Sequence, residues 1–439
     1  MNMTLLAVLG IVALVALIFL GMNVGIAMFV VGIVGYFIAT NDFGLALSRL
    51  GTVPFTTAFS YSYVVIPLFV LMGEFTLESG MAMGLYDACE KWLGRFRGGL
   101  NLATIVSNGI FGAICGSSSA AVATMGRLSL PQTRRYNYDD NFSAATCAAG
   151  GTLSWLIPPS TGFIVYGLTA GNLSVGRLFA AGIIPGVILM ISYMVASTIK
   201  CTIHPDVAPR GQKYPMKVML HSLLGMLPTV VLFVVVLGGM FSGIFSYTEA
   251  AAIGAALTIV YTICVGKFTF KGFINRVLSA LKSSIMVFEI MIAASVFGYF
   301  LTITNLPQNL AAWISGLNVH RLVVMFFILL LYLVVGMFMD TLSVVILTIP
   351  IFVPIITSLG FDLVWFGVVM VLLMVLGTIT PPIGINLFIA AGIDKKLQIG
   401  GIMRSIVPYC IALFLVTILC ILVPQLSLWL PNLMYGAGV

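Results

Sequence analysis

Two Pro-Pro pairs interrupt long apolar stretches at comparable places in the two halves of this chain. The sequence reads GTLSWLIPPSTG from Gly151 and GTITPPIG from Gly377. Proline lacks a backbone N–H and its ring clashes with the preceding turn, so a helix must break at each pair. In a bilayer a broken helix is tolerated only where it is buried in protein or lines a cavity. Two such breaks in corresponding positions indicate a transport site near the membrane midplane.

The composition assigns most of the chain to the membrane. Of its 439 residues, 61% are hydrophobic and 8% are charged, whereas a soluble domain carries about 25% charged residues. At about 20 residues per span, the chain is long enough for roughly ten to thirteen membrane elements. Its sequence contains no GxxxxGK[ST] motif, and its cysteines and histidines follow no catalytic or metal-binding pattern. We therefore expect a membrane protein that is not an enzyme and that uses no organic cofactor.

Clusters of lysine and arginine indicate which loops face the cytoplasm. Cytoplasmic loops are enriched in these residues, which accounts for the net charge of +7. An even number of crossings must then separate neighbouring clusters, and the apolar segments satisfy this condition in every interval. Both termini are consequently predicted on the outer side, which is the periplasm in a bacterial inner membrane. The basic clusters are 91–97, 127–135, 200–217, 267–282 and 395–404.

The number and direction of these membrane crossings divide the chain into two similar halves. Each half is predicted to hold three spans, a helical hairpin, a broken span and a closing span. The first hairpin, 100–130, is interrupted at 116–119 and enters from the cytoplasm, whereas the second, 321–358, is interrupted at 336–341 and enters from outside. Opposite senses make an inverted repeat, the architecture of secondary transporters. Before the second hairpin the sequence predicts a basic link at 267–282, a separate span at about 284–302 and a polar turn at 305–309.

Oxygen-rich residues surround both breaks. Prolines offer no N–H to the carbonyls of the preceding turn, and free carbonyl oxygens suit an unhydrated alkali cation. Hairpin tips also expose helix N-termini, whose N–H groups attract carboxylates. The alternative is that Gly, Ser and Thr only allow tight helix packing; the paired breaks favour ion binding. The hydroxyls that could add ligands are Ser117, Ser118 and Thr152 in the first half and Thr341, Thr378 and Thr380 in the second.

Two charged residues stand in or beside the predicted hairpins. Asp340 is an acid in apolar surroundings, and intramembrane acids are costly and usually functional. We expect it to hold a cation, carry a proton or orient a polar substrate; the alternative is a helix N-cap. Arg127, at the end of the first hairpin, could attract an anionic substrate, although a snorkelling anchor explains it at least as well.

At these residues the chain resembles the large membrane subunit of tripartite ATP-independent periplasmic (TRAP) transporters. The resemblance spans nearly the whole chain and rests on long, specific motifs. They are IPLFVLMGEF at 66–75, GAICGSSSAAVATMGRLSLPQ at 112–132, AAGGTLSWLIPPS at 148–160, GMFMD at 336–340 and GTITPPIGINLF at 377–388.

The resemblance implies an all-α, inverted-repeat elevator transporter with two re-entrant hairpins and two discontinuous helices. It implies sodium-driven uptake of an organic acid, delivered by a soluble periplasmic binding protein, with a separate four-helix membrane subunit as a second partner. The implied ranges are 1–97 for scaffold helices, 98–172 for the first hairpin and broken helix, 173–282 for scaffold helices and connecting arms, 283–393 for a transport-domain helix with the second hairpin and broken helix, and 394–439 for a C-terminal scaffold helix.

The resemblance also assigns site residues. The first sodium site would use Ser117, Ser118, Gly151, Ile157 and Pro158; the second would use Gly336, Thr341, Gly377, Thr378, Thr380 and Pro381. Substrate would lie between the hairpin tips, near Cys115, Ser119, Ser160 and Asp340, with Arg127 as a further candidate. Cys115 departs from the pattern, since family members often have serine there, and a thiol would weaken a substrate hydrogen bond.

Other functions remain open at this stage. The nearest is a stand-alone inverted-repeat sodium/carboxylate carrier that needs no binding protein; an ion channel or a structural membrane scaffold belongs to another class. Sialic acids, C4-dicarboxylates and other keto or sugar acids all suit a carboxylate site between two helix tips, so the residues do not select one substrate.

Overall fold

The chain folds into helices joined by short connections in a computed structural model that describes residues 3–171, 173–316 and 319–436. The helices of the first half are α1 Met3–Phe19, α2 Val24–Thr40, α3 Phe43–Ala58, α4 Val65–Ser79, α5 Met81–Leu93, α6 Gly99–Cys115, α7 Ser118–Arg135, α8 Asp140–Thr152, α9 Thr161–Thr169 and α10 Val175–Ile203.

The second half continues after the loop that follows α10. Its helices are α11 Met216–Phe233, α12 Gly239–Phe241, α13 Tyr247–Cys264, α14 Phe270–Ile303, α15 Leu306–Gly316, α16 Arg321–Phe338, α17 Thr341–Ser358, α18 Leu363–Ile379, α19 Ile385–Gly392, α20 Ile399–Ser405, α21 Val407–Leu422 and α22 Gln425–Tyr435. A π-helical turn, Val234–Gly238, joins α11 to α12 without interrupting the span.

Many of these helices are long and apolar enough to cross a bilayer. By length and composition, seven helical segments of the described chain qualify, or eight when α20 and α21, bent by 44°, are counted as one span. Four shorter apolar helices, α1, α2, α6 and α18, add to them. The protein is therefore an all-α, multi-pass membrane protein, as the composition predicted.

The order of hairpin, broken helix and closing helix occurs twice. The pairs α6–α7 and α16–α17 are the two hairpins, and α8–α9 and α18–α19 are the two broken helices. Both breaks fall at the predicted Pro-Pro pairs, and both Pro-Pro peptide bonds are cis. Helices α10 and α21 close the two halves and pack against each other. The two predicted hairpins and breaks are thus confirmed.

Two expectations for the second half are wrong in detail. The predicted basic link and the span after it form one continuous 34-residue helix, α14, which runs through the expected domain boundary at 282/283. The expected polar turn at 305–309 starts α15, because Leu306 and Ala311 are buried where this helix packs against α17. A further helix, α22, follows the last predicted span and packs against α10. The predicted boundary at residue 172 and the end of the range 394–439 lie outside the described residues.

Helices of the two halves pack against one another, which brings the two hairpins close together. Helix α14 packs along α2, α3 and α4, and α13 packs along α4, so spans of the two halves interlock. Helix α18 is buried over almost its whole length and packs against α16, α17 and α21. A buried central helix in contact with both arms of a hairpin fixes where that hairpin ends.

Candidate functional site

A cavity of about 260 Å³ lies between the tips of the two hairpins. Helices α4 and α14 form another part of its wall. Trp155, residues of α9, Thr378 of α18 and residues of α19 complete it. The polar side chains among its lining residues are Glu74, Cys115, Ser117, Ser118, Ser119, Thr161, Ser283, Asp340, Thr341, Thr378 and Asn386. The two predicted repeats thus share a single chamber.

The tip of the first hairpin is a two-residue turn. Helix α6 ends at Gly116, whose φ of 64° is a left-handed conformation that glycine adopts without strain. Ser117 then caps α7, accepting a hydrogen bond from the Ala120 N–H at 3.3 Å. The Thr161 hydroxyl donates to the Gly116 carbonyl at 2.6 Å. The tip is therefore held against the start of α9, immediately after the first Pro-Pro break.

The tip of the second hairpin carries an acid in the equivalent position. Asp340 caps α17, and its Oδ2 accepts from the N–H groups of Leu342 at 3.1 Å and Ser343 at 3.3 Å. Both N-termini, of α7 and of α17, therefore line the same cavity. One is capped by a neutral hydroxyl and the other by a carboxylate. Asp340 is thus the helix N-cap of the alternative interpretation, and it also lines the cavity; its functional role stays a prediction.

Asn386 ties the two repeats together, and the sequence reasoning missed it. Its Nδ2 donates to the Ser118 hydroxyl at 2.7 Å and to the Ala148 carbonyl at 3.3 Å. The side chain is buried and lines the cavity. A polar amide five residues after Thr380–Pro381, within an apolar segment, is the signal that could have identified it.

Most of the residues predicted for the first cation site lie close together around the hairpin tip. A Cβ added at Gly151 would lie 3.1 Å from the Ser118 carbonyl oxygen, so α8 ends directly against the start of α7. Ile157 and Pro158 follow in the break. The Thr152 hydroxyl donates to the Ala149 carbonyl at 2.6 Å and lies 2.9 Å from the Tyr193 hydroxyl; Thr152 does not line the cavity, whereas Ser117 and Ser118 do.

The second predicted set is organised by a backbone contact. A Cβ added at Gly377 would lie 2.8 Å from the Gly336 carbonyl oxygen, so α16 and α18 touch there. Thr380 donates its hydroxyl to the Leu376 carbonyl at 2.6 Å, next to Pro381. Two further members, Thr341 and Thr378, line the cavity. These positions present carbonyl and hydroxyl oxygens, the hard donors that an alkali cation requires.

The predicted substrate residues divide into two groups. Cys115, Ser119 and Asp340 line the cavity. Ser160 is buried outside its lining, where it donates to the Trp155 carbonyl at 2.6 Å and caps α9. Arg127 is exposed on α7, about 14 Å along the helix axis from Ser118, and does not line the cavity.

An ion-pair cluster forms one edge of the chamber. Arg276 of α14 bonds Glu74 at 3.3 Å and Glu78 at 2.7 Å, both on α4, and the Ser279 hydroxyl donates to Glu74 at 2.7 Å. Glu74 thus faces the cavity as a paired carboxylate. Within the three described ranges, no group of three His, Cys, Asp or Glu side chains could hold a metal ion.

A second ion-pair cluster joins loops from the two repeats outside the membrane segments. Arg134, at the end of α7, pairs with Asp140 at 2.7 Å and also with Asp394, just after α19. Arg134 and the Lys396 N–H hold the pKa of Asp394 below its usual range. The exit of the first hairpin is therefore attached to the exit of the second broken helix.

This geometry agrees with the comparison to known proteins. A family model described as "Tripartite ATP-independent periplasmic transporter, DctM component" matches residues 11–426. The chain belongs to this family. The resemblance noted from the sequence motifs is thereby confirmed.

Relatives of this DctM-family chain are named as large permease proteins. The C4-dicarboxylate TRAP transporter large permease protein DctM of Pseudomonas aeruginosa is 34% identical over 86% of this chain and 88% of its own length. The sialic acid TRAP transporter large permease protein SiaM of Vibrio cholerae is 30% identical over 96% and 97%. The isethionate TRAP transporter permease protein DctMQ of Oleidesulfovibrio alaskensis is 33% identical over 85% of this chain and 59% of its own length.

A solved structure supports the fold. The YdaH transporter of Alcanivorax borkumensis, whose crystal structure is described as having an unusual topology, superposes with a TM-score of 0.63 over 91% of both chains. At 14% identity this likeness concerns the fold alone. The role as a large permease component of a TRAP transporter rests instead on the family match and on the named relatives.

Proposed function

We propose that this DctM-family chain is the large membrane subunit of a sodium-coupled importer of an organic acid. Its relatives are named for C4-dicarboxylates, sialic acid and isethionate, all of which carry an acidic group. The observation that carries the proposal is the N-terminus of α7, capped by a neutral hydroxyl, in a cavity that the acid-capped N-terminus of α17 also lines, since a helix N-terminus without a charged cap is an anion-binding site.

The two tips favour different charges. At α17 the Asp340 carboxylate already accepts from the free N–H groups, so a second anion there would be repelled. At α7 the cap is the neutral Ser117. We therefore assign the substrate's acidic group to the α7 tip, near Cys115, Ser117 and Ser119. Any positively charged group that is bound with it is assigned to the side of Asp340.

Sodium would bind as a co-transported ion behind the tips. Pro158 and Pro381 supply no N–H to the carbonyls of the turns before them, and Gly151 and Gly377 bring two backbones together at each break. Ser118, Thr341 and Thr378 add hydroxyl oxygens in the lining of the cavity. Binding sodium together with the acidic substrate keeps the net charge of the moving part near zero, which lowers the cost of carrying an acid through the membrane.

An elevator movement would carry the chamber across the membrane. The moving part would consist of the two hairpins and the two broken helices, and the scaffold would include α2, α3, α4 and α13. We assign α14 to the scaffold as well, because it packs along α2, α3 and α4; this differs from the range 283–393 expected from sequence. The cavity lies between these two groups of helices.

The complete system would need two partners. A periplasmic binding protein would deliver the acid to the outer face, and a four-helix membrane subunit would bind the scaffold. The basic clusters support an orientation in a bacterial inner membrane with both termini in the periplasm. The competing function is a stand-alone sodium/carboxylate carrier, which would need no binding protein.

Uptake in proteoliposomes tests the proposal. The chain and its small subunit are reconstituted, and the purified binding protein with candidate radiolabelled acids is added outside, with and without an inward sodium gradient. Uptake that requires both sodium and the binding protein is expected. Uptake without the binding protein would instead support the stand-alone carrier, and uptake that ignores sodium would refute the ion-binding role of the two breaks.

Variants at the second break sharpen this test. Thr380→Ala removes an oxygen beside Pro381 but leaves α18 helical, so we expect weaker sodium dependence of uptake in a protein that folds normally. Thr169→Ala, which removes an equivalent hydroxyl-to-carbonyl bond in α9 away from the cavity lining, is the matched control. Equal sodium dependence of the two variants would contradict the assignment.

A further inference from the structure

A groove runs along the outer face of the pair α10–α21, away from the chamber. It has a volume of about 470 Å³ and an almost entirely apolar wall. Its α10 side is a stripe at four-residue spacing, Ile191, Val195, Ile199 and Ile203, each at least half exposed. Lys200, at one end, is its single charged lining residue. The full lining is Ile191, Ser192, Val195, Ala196, Ile199, Lys200, Ile203, Pro408, Ile411, Ala412 and Leu415.

A second cavity lies in the loop that follows α10, beyond the end of that helix that carries Lys200. After α10 ends at Ile203, the chain turns back and Arg210 pairs through its backbone with Arg97 in an antiparallel bridge. The resulting cavity, of about 340 Å³, is lined by Arg97, Pro205, Ala208, Pro209 and Arg210. A Cβ added at Gly98 would lie 2.6 Å from Cys201 Sγ, so the segment that carries Arg97 lies against the last turn of α10.

The three cations at this end have no acidic partner among the residues that the structure describes. Within the described ranges, the ion pairs involve Lys91, Arg134 and Arg276, and none involves Lys200, Arg97 or Arg210. The carboxylate in the same loop, Asp206, is exposed and also makes no ion pair. A wide apolar groove therefore ends in a cluster of unpaired positive charge.

We propose that this groove and its basic end form a binding site for an anionic phospholipid of the cytoplasmic leaflet. An acyl chain would lie along the stripe of α10 and against Ile411 and Leu415, and the phosphate would be bound by Lys200, Arg97 and Arg210. Basic pockets between membrane helices on the cytoplasmic side bind anionic headgroups in this way, and the basic loop that follows α10 is predicted to be cytoplasmic.

The combination of apolar and basic walls selects the lipid over other occupants. A soluble anion would gain nothing from the apolar groove, and a neutral lipid would leave the three cations without a counter-charge. A helix of another protein would have to contribute acids at one end of an otherwise apolar face. The proposal concerns equilibrium binding and holds whether or not sodium drives transport, so its failure and that of the proposed function are separable.

Native mass spectrometry of the chain with its small subunit tests the site. The delipidated complex is titrated with dioleoyl phosphatidylglycerol or dioleoyl phosphatidylcholine, and bound lipid is counted. We expect preferential retention of phosphatidylglycerol and about fivefold weaker binding for each of Lys200, Arg97 and Arg210 replaced by alanine. Lys213→Ala, which removes a charge from the same loop but not from either cavity, is the matched control and should bind as wild type.

A steric variant distinguishes the lipid from a soluble anion. Ala196→Trp fills the groove and keeps all three cations, so it should lose phosphatidylglycerol while its melting temperature in detergent stays near that of wild type. Equal retention of both lipids would overturn the proposal. Wild-type binding by a variant in which Lys200, Arg97 and Arg210 are all replaced by alanine would also overturn it. Displacement by inorganic phosphate together with unchanged binding by Ala196→Trp would make the basic end a soluble-anion site instead.

Cross-linking tests whether a helix of another protein occupies the groove. A photoreactive residue at position 415 should label lipid and not the small subunit. Labelling of the small subunit would replace the lipid site with a protein interface.

Discussion

The contact between Gly336 and Gly377 offers a quantitative test of the helix packing behind the second break. A Cβ added at Gly377 would lie 2.5 Å from the Gly336 carbonyl carbon and 2.9 Å from the Met337 nitrogen. These are backbone atoms, so no side chain can rotate away and α16 must separate from α18. Overpacking of this kind costs about 1–3 kcal/mol, and replacing a helical glycine by alanine returns up to about 1 kcal/mol.

The net effect of Gly377→Ala is therefore a loss of about 2 kcal/mol in the free energy of unfolding, taking the upper end of the overpacking range. Gly298→Ala, in the middle of α14, is the matched control because no heavy atom lies within 4 Å of the added Cβ; it should gain up to about 1 kcal/mol. Gly336→Ala, whose Cβ would lie 3.3 Å from Met374, should fall between the two.

Thermal unfolding of the three variants in one detergent, followed by tryptophan fluorescence, gives this order directly. Uptake provides a second measure, since separation of α16 from α18 moves oxygens assigned to the second cation site. Gly377→Ala should therefore need more sodium for half-maximal uptake, whereas Gly298→Ala should not. If Gly377→Ala and Gly298→Ala unfold at the same temperature, the close contact inferred between these helices is wrong.

Three further predictions follow from single contacts. Asp340→Asn keeps a good N-cap but removes the charge, so it should impair uptake at unchanged melting temperature. Asp340→Ala should also cost about 1 kcal/mol of stability, because the N-cap is lost. Equal uptake by wild type and Asp340→Asn would argue against a role for the charge. Asn386→Ala leaves the Ser118 hydroxyl without its donor and should cost about 1–3 kcal/mol, measured by thermal unfolding. The pKa of Asp394 is lowered by Arg134, so the stability from this pair is present at neutral pH and is lost as the pH falls through that lowered pKa. The difference in unfolding temperature between wild type and Asp394→Asn should disappear once Asp394 is protonated.

The residues of the two tips illustrate how far local sequence rules extend. Gly116 and Ser117 form a helix C-cap and N-cap in series, and Asp340 is an N-cap, all of which follow from the conformational and hydrogen-bonding preferences of these residue types. The breaks at 158–159 and 381–382 follow from proline chemistry in the same way. Each of these features depends on a few neighbouring residues, so each could be predicted from the chain alone.

Other features depend on contacts between distant segments. Nothing local joins Asn386 to Ser118, or Arg134 to Asp394; in each pair the partners are more than 250 residues apart. Ser160 and Arg127 belong to motifs that the resemblance assigned to substrate, but the direction in which each helix faces keeps them out of the cavity lining. The continuity of α14 likewise depends on its long contact with α2 and α4, which overrides the local polarity of its first turns.

The sequence alone determined that this is a helical membrane protein with two hairpins and two broken helices, because hydropathy, proline and glycine act locally and a bilayer permits few other arrangements. Only the tertiary structure decided that both tips reach one chamber, which oxygens face it and which side chains link the repeats, because packing between remote helices sets those distances. It also formed the groove between α10 and α21, whose apolar wall and three unpaired cations are contributed by segments that are far apart along the chain.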